Sequence, residues 1–269
     1  MPEEIPQLGL GTSSESNQEQ WADRVQLAID VGYRHFDTAQ AYGNERYVGD
    51  GIRRSGVDRA DVFVATKTVH PDEPVATEQE ILDAVEGCLS RLDTDYIDLL
   101  YVHWPGPEYD PETTLNAFDE LYDRDTIRHV GVSNFEPDDL DRAYDTLDAP
   151  LFANQVECHP LLQQDELREY AVEHDHWLVA YSPLARGDTT EISEIVSIAE
   201  KHDVTAAQVS LAWLLSKENV VAIPKASTEA HMVDNLAARE LKLDREDIEL
   251  IEGISEERRY ITREYASWA

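Results

Sequence analysis

Lysine is scarce in this chain: only 5 of its 269 residues are Lys, and its 22 basic residues stand against 56 acidic ones, a net charge of −34. The acid is spread along the whole chain rather than gathered in a tail, which argues against a disordered acidic arm. Such a surface repels nucleic acid and anionic membranes, so neither is expected as a partner. A Lys-poor acidic surface suits a protein kept hydrated at high salt, where the Debye length shrinks to about 3 Å at 1 M, and a halophilic cytoplasm is the expected setting. Cysteine is nearly absent as well. Cys88 and Cys158 form no CxxC pair and no disulfide framework, so two reduced thiols of a cytoplasmic protein are expected. No apolar run approaches the roughly 18 residues of a spanning helix. The opening "MPEEIPQLGLGT" has neither a basic nor an apolar leader segment, and no export signal is expected.

What the chain does have is alternation. Short apolar, β-branched runs recur at Leu8–Thr12, Arg34–Ala39, Val62–Lys67, Ile97–His103, His129–Asn134, Ala153–Cys158, Trp177–Ser182 and Val220–Lys225. Amphipathic stretches such as "TEQEILDAVEGCLSRL", "PETTLNAFDELYDR" and "TAAQVSLAWLLSKE" lie between them, several opening on a capping residue or proline with acid in the first turn. About eight strand–helix units in about 250 residues predict an α/β fold, a single (β/α)8 barrel over residues 1–269. The competing doubly wound sheet wants a Gly-rich dinucleotide loop after the first strand, and "GLGTSSES" is not one. The stretches Pro105–Pro111 and Pro183–Thr190 read as long loops on the face where barrels keep their chemistry.

Three consecutive strand ends carry polar groups: Asp37 in "HFDTAQAYGNE", Lys67 in "VFVATKT" and His103 in "LLYVHWP". Strands about 4.8 Å apart bring these side chains within about 10 Å of one another, and Tyr42, on the loop after Asp37, can lean over the same point. A free phenol is a poor acid at neutral pH. A lysine ammonium beside it favours the phenolate, and an aspartate holds that lysine charged and oriented. His103 can then hydrogen-bond a substrate oxygen. Singly, each residue has a plainer reading: a solvated strand end, a turn aspartate, a satisfied core histidine. Four of them on one barrel face make the chemical reading the better one, and lysine scarcity sharpens it.

The successive segments "FDTAQAYGNE", "VATKT", "YVHWP", "GVSNF", "NQVECHP", "AYSPLARG" and "IPKASTEAHMVDN" resemble, in order and over essentially the whole chain, the motifs of the aldo-keto reductase family. The likeness is greatest to the prokaryotic branch holding 2,5-diketo-D-gluconate reductases and methylglyoxal-reducing enzymes. It implies an NAD(P)H-dependent reductase of small aldehydes and ketones that uses no metal. Tyr42 would be the general acid, Asp37 and Lys67 its supporting pair, and His103 the group orienting the carbonyl. Ser133, Asn134 and Gln155 would hold the nicotinamide carboxamide, Tyr181 would stack on the ring, and Ser182 and Leu184 would approach the pyrophosphate. At the adenine end Lys225, Ser227, Thr228, His231 and Asn235 fall in the family's binding segment.

Departures from the family pattern occur in two places. Ala226 replaces a serine, and His231 stands where an arginine usually grips the 2′-phosphate. Arginine is always charged and binds phosphate bidentately, whereas histidine at pH 7 is mostly neutral, so both NADP(H) and NAD(H) are expected as cofactors. In the pocket, Ser13 replaces a frequent tryptophan, leaving Trp104 as an aromatic wall for a small carbonyl substrate. The expected protein is a monomer. Two other readings stand beside this one: a metallohydrolase using His35, Asp37, His103 and His159, and a regulatory barrel that binds a nicotinamide cofactor without turnover.

Overall fold

The computed structural model describes residues 5–13, 17–71, 77–107, 109–266 and 268. Eight parallel strands lie in chain order: β1 (Leu10–Gly11), β2 (His35–Asp37), β3 (Phe63–Thr68), β4 (Ile97–Val102), β5 (Ile127–Ser133), β6 (Leu151–Glu157), β7 (Trp177–Tyr181) and β8 (Val220–Ala222). The sheet curls until its edges meet. Leu8 bridges Ala222, Gly9 N donates to Ala222 O at 2.9 Å, and Gly11 N donates to Pro224 O at 3.1 Å. A side chain at position 11 would come within 2.7 Å of the Ile223 carbonyl oxygen, so this seam closes only around glycine.

Each strand is followed by a helix: α1 (Trp21–Val31), α2 (Glu45–Ser55), α3 (Glu78–Leu92), α4 (Pro111–Asp123), α5 (Pro137–Thr146) and α6 (Asp165–Glu173) after the first six. After β7 come α7 (Ser193–His202) and α8 (Ala206–Leu215), and after β8 come α9 (Glu229–Ala237) and α10 (Arg245–Glu252). The sequence dictates the starts. Thr77 accepts from Glu80 N, Asp110 accepts from Thr113 N ahead of Pro111, and Thr205 with Gln208 forms a capping box. The expected strands are present, but β1, β2 and β8 shorten to 2, 3 and 3 residues.

Strand residues alternate between two cores. Phe36, Val64, Leu100, Val102, Val132 and Leu178 point outward beneath the helices. Ala65, Leu99, Tyr101, Ala153, Val179 and Val221 fill the barrel interior. Both faces are buried, as parallel barrel strands require. This parity decides the site, because Lys67 follows Ala65 by two and Gln155 follows Ala153 by two. The inward row therefore ends in polar groups at the C-terminal rim.

Candidate active site

Lys67 is the most confined cation in the chain, with its side chain 1% exposed. Its Nζ donates to Asp37 Oδ1 at 2.5 Å and to the Thr38 carbonyl at 2.7 Å, and it stands 5.2 Å from the Tyr42 ring centroid. The second oxygen of Asp37 accepts from Gln155 Nε2 at 2.7 Å. The carboxylate thus ties β2, β3 and β6 together across the barrel mouth. A buried ion pair is tolerated only when its remaining lone pairs are satisfied, and Gln155 does that here.

Tyr42 reaches the pair because the loop after β2 is pinned. Residues 40–42 form a single 3-10 turn ended by Gly43 at φ 64°. Thr38 Oγ1 donates to Asn44 Oδ1 at 2.7 Å, and Asn44 Nδ2 donates to Thr12 O at 2.8 Å. The Tyr42 ring meets His103 edge-on at 5.7 Å. His103 follows β4, its N–H bonded to Thr68 O at 2.8 Å, and its ring lies 4.8 Å from that of His70. The four residues singled out in the sequence therefore converge at one point.

Two electrostatic effects act on them. Burial pushes the Tyr42 phenol above its ordinary value of 10, with Lys67 opposing and Asp37 adding to the rise. The expectation that lysine makes this phenol more acidic than free tyrosine is thus not met: Lys67 acts in the expected direction, but burial outweighs it. Burial, with the charge of Lys67 next, holds His103 well below 6.5, so the imidazole is neutral at pH 7. Its Nδ1 is buried without a partner.

The remaining expected residues line the same rim. Ser133 Oγ donates to Gln155 O at 2.8 Å, and Asn134, left-handed at φ 64°, donates Nδ2 to His103 O at 3.1 Å. The Tyr181 hydroxyl donates to Asn134 Oδ1 at 2.8 Å. Next come Ser182 (φ 50°), Leu184, Ala185 (φ 48°), Arg186 (φ 55°) and Gly187 (φ 109°), a tight loop with left-handed residues. Beyond β8, Lys225, Ser227, Thr228 and His231 are exposed and Asn235 is buried. Thr228 Oγ1 is already used, accepting His231 N at 3.3 Å as the cap of α9. This donor set fits a nicotinamide dinucleotide: amides and hydroxyls for a carboxamide, a half-buried aromatic face for a flat ring, and a backbone-rich loop and Lys225 for phosphate. It does not resemble a metal centre. His35 Nδ1 lies 3.1 Å from Pro6 O, and His159 lies against Glu157. Among the described residues no group of three or more His, Cys, Asp or Glu could hold a metal ion.

Three features escaped the sequence reading. The His70 ring lies against that of His103, tilted by 57°, and the C-terminal residues Tyr265 and Trp268 each lie 5.7 Å from Trp104. Glu157, two residues beyond Gln155 on the inward row, is wholly buried. Its strand parity was readable in "NQVECHP"; the tail contacts had no local signal.

The rim of this parallel barrel thus gathers a buried lysine–aspartate pair, a phenol and a neutral imidazole at one point. A profile described as the Aldo/keto reductase family matches residues 7–256. The chain is 38% identical over 256 residues to the glyoxal reductase of Bacillus subtilis (strain 168), covering 95% of this chain and 91% of that protein. It is 38% identical over 258 residues to the 9,11-endoperoxide prostaglandin H2 reductase of Trypanosoma cruzi (strain CL Brener), covering 95% and 89%. A crystal structure of a putative 2,5-diketo-D-gluconic acid reductase B superposes with a TM-score of 0.92 at 34% identity, covering 97% of this chain and 92% of that one. The chain belongs to the aldo/keto reductase family and is an NAD(P)H-dependent oxidoreductase.

Proposed function

We propose that this protein reduces small aldehydes and ketones to alcohols, with Tyr42 as proton donor, Lys67 and Asp37 as its supporting pair and His103 orienting the carbonyl. The observation that carries this reading is the convergence of those side chains at the rim, with Lys67 5.2 Å from the Tyr42 ring and 2.5 Å from Asp37. A reduced nicotinamide held by Ser133, Asn134, Gln155 and Tyr181 would supply hydride to the carbonyl carbon. As the carbonyl π pair moves onto oxygen, Tyr42 gives that oxygen its phenolic proton. A phenol is protonated at neutral pH, and burial reinforces this, so the donor is loaded before each turnover. Once the proton has left, the phenolate lies beside the Lys67 ammonium, which stabilises it until solvent returns a proton. Neutral His103 donates one N–H to the same substrate oxygen and fixes its direction.

Ser133, Asn134 and Gln155 hold the nicotinamide carboxamide in this reading, and Tyr181 covers the ring. Ser182 and Leu184 approach the pyrophosphate, while Lys225, Ser227, Thr228, His231 and Asn235 receive the adenosine end. Both NADPH and NADH serve, since His231 provides no permanent charge. Trp104 walls the substrate side. The single barrel over 1–269 acts as a monomer in a salt-rich cytoplasm, in keeping with the net charge of −34. The test is oxidation of NADPH and NADH against a panel of small carbonyls by wild type and by Tyr42→Phe. The variant loses only a hydroxyl and is expected to bind cofactor normally while turnover falls by about 100-fold or more. Near wild-type turnover in Tyr42→Phe would refute the assignment.

A further inference from the structure

Lys67 and His103, the two groups set to assist Tyr42, are both closed to water. Lys67 is 1% exposed, and its three ammonium protons are committed: to Asp37 Oδ1 at 2.5 Å, to the Thr38 carbonyl at 2.7 Å and to the phenol itself. His103 is 7% exposed and meets the Tyr42 ring edge-on. A further polar side chain reaches the phenol from β1. Gly11 stands in register with Asp37, so both positions face the barrel interior, and Ser13 lies two residues further along the same row. Two bonds fix this stretch against the loop that carries Tyr42. Thr12 N donates to Asp37 O at 2.9 Å, and Thr12 O accepts from Asn44 Nδ2 at 2.8 Å. So placed, the Ser13 hydroxyl hydrogen-bonds the Tyr42 phenol, and unlike Lys67 and His103 it belongs to an exposed residue.

Each reduction leaves Tyr42 as a phenolate that must regain a proton. Lys67 stabilises that phenolate but is poorly placed to refill it. A proton given up by so buried an ammonium has no solvent to replace it, and Asp37 would be left a buried, unpaired carboxylate. Burial holds His103 neutral, so it carries no spare proton. A serine hydroxyl both donates and accepts, and can therefore pass a proton on. The tryptophan that Ser13 replaces in the family pattern could not, because an indole N–H only donates.

We propose that Ser13 is a further catalytic residue, its hydroxyl the relay through which solvent reprotonates the Tyr42 phenolate after each reduction. The inference rests on the carbonyl-reductase reading above. As the Ser13 O–H bond breaks and its proton moves to the phenolate oxygen, a new O–H bond forms at Oγ with a proton from hydronium or a buffer acid. The conjugate base stays in solvent, and no serine alkoxide accumulates. The net change is one proton taken from solvent per carbonyl reduced, with no redox change at Ser13 or Tyr42.

The test uses the full-length enzyme with NADPH and a small aldehyde, comparing wild type, Ser13→Ala and Ser13→Thr. Ser13→Ala removes the hydroxyl and is expected to lower kcat by about tenfold or more while the aldehyde KM stays within about threefold, as for a hydrogen bond lost from a charged acceptor. Ser13→Thr keeps a hydroxyl and should stay within about threefold of wild type in kcat. At fixed pH and ionic strength, raising the concentration of imidazole buffer should increase the kcat of Ser13→Ala and leave the wild type unchanged, because a diffusible acid then replaces the missing relay. In the Tyr42→Phe background Ser13→Ala should cost nothing further, since the two hydroxyls act as a unit. A Ser13→Ala kcat within about twofold of wild type, a Ser13→Thr variant as slow as Ser13→Ala, or a Ser13→Ala variant indifferent to buffer overturns the relay and leaves the reductase reading intact. Carbonyl reduction absent from the wild type, or retained in Tyr42→Phe, defeats the reductase reading and this inference with it.

Discussion

Replacing Lys67 by methionine separates two consequences of one buried charge. Methionine keeps similar bulk and removes the ammonium. Asp37, only 2% exposed, would keep the Gln155 amide at 2.7 Å but lose its cation at 2.5 Å. Orphaning one member of a buried pair destabilises by about 3–5 kcal/mol. The Tyr42 ring centroid lies 5.2 Å from Nζ; at that separation and an effective dielectric of about 20, the ammonium stabilises a phenolate by about 3 kcal/mol. The transition state realises about half of this or more, since the proton is in flight, so kcat/KM should fall by about 10- to 100-fold. Adding Asp37→Asn removes the stranded carboxylate. The double variant should therefore recover most of the lost stability in urea unfolding while its kcat/KM for a small aldehyde stays low. The reasoning fails if Lys67→Met retains kcat/KM within about threefold, or if the double variant regains activity together with stability.

Cofactor preference is expected to be shallow, with a kcat/KM ratio of NADPH over NADH below about 100, because a histidine at 231 cannot grip a 2′-phosphate with the bidentate fork of an arginine. His231→Arg should raise it by about 10- to 100-fold, and an unchanged, steep wild-type ratio would leave the phosphate grip to Lys225, Ser227 and Thr228. Melting temperature should be higher in about 2 M than in about 0.1 M KCl, because salt relieves repulsion among the carboxylates; equal values would remove support for a salt-adapted surface. His176, buried with Nδ1 2.7 Å from the Tyr144 hydroxyl, is pushed from 6.5 down to about 4, chiefly by burial. The unfolded chain then binds a proton that the folded chain refuses, so the stability this group contributes is full above about pH 6.5 and is lost as pH falls towards 4. Between pH 7 and pH 5 the wild type should lose about 2 kcal/mol more than His176→Gln, and parallel pH profiles from urea unfolding would refute this.

The order of strands and helices was legible without coordinates, because parallel barrel strands are buried on both faces and read as apolar runs, while caps and prolines mark the helix starts. The catalytic candidates were legible for a related reason. Period-two parity sends Asp37, Lys67 and His103 inward at successive strand ends, and a lysine in a lysine-poor chain stands out. Three things were decided only in three dimensions. Burial outweighs Lys67 at the Tyr42 phenol, a balance that depends on how much water the assembled rim excludes. The Gln155–Asp37 bond spans 118 residues, and the ties of Tyr260 and Ile261 to Glu157 span 103 and 104. Nothing local in the sequence specifies such pairs, because they depend on where barrel closure delivers each strand end. The tail "EERRYITREYASWA" reads by itself as a polar terminus; in the fold the buried Glu157 carboxylate accepts the Tyr260 and Ile261 N–H groups, and the Tyr265 and Trp268 rings lie against Trp104.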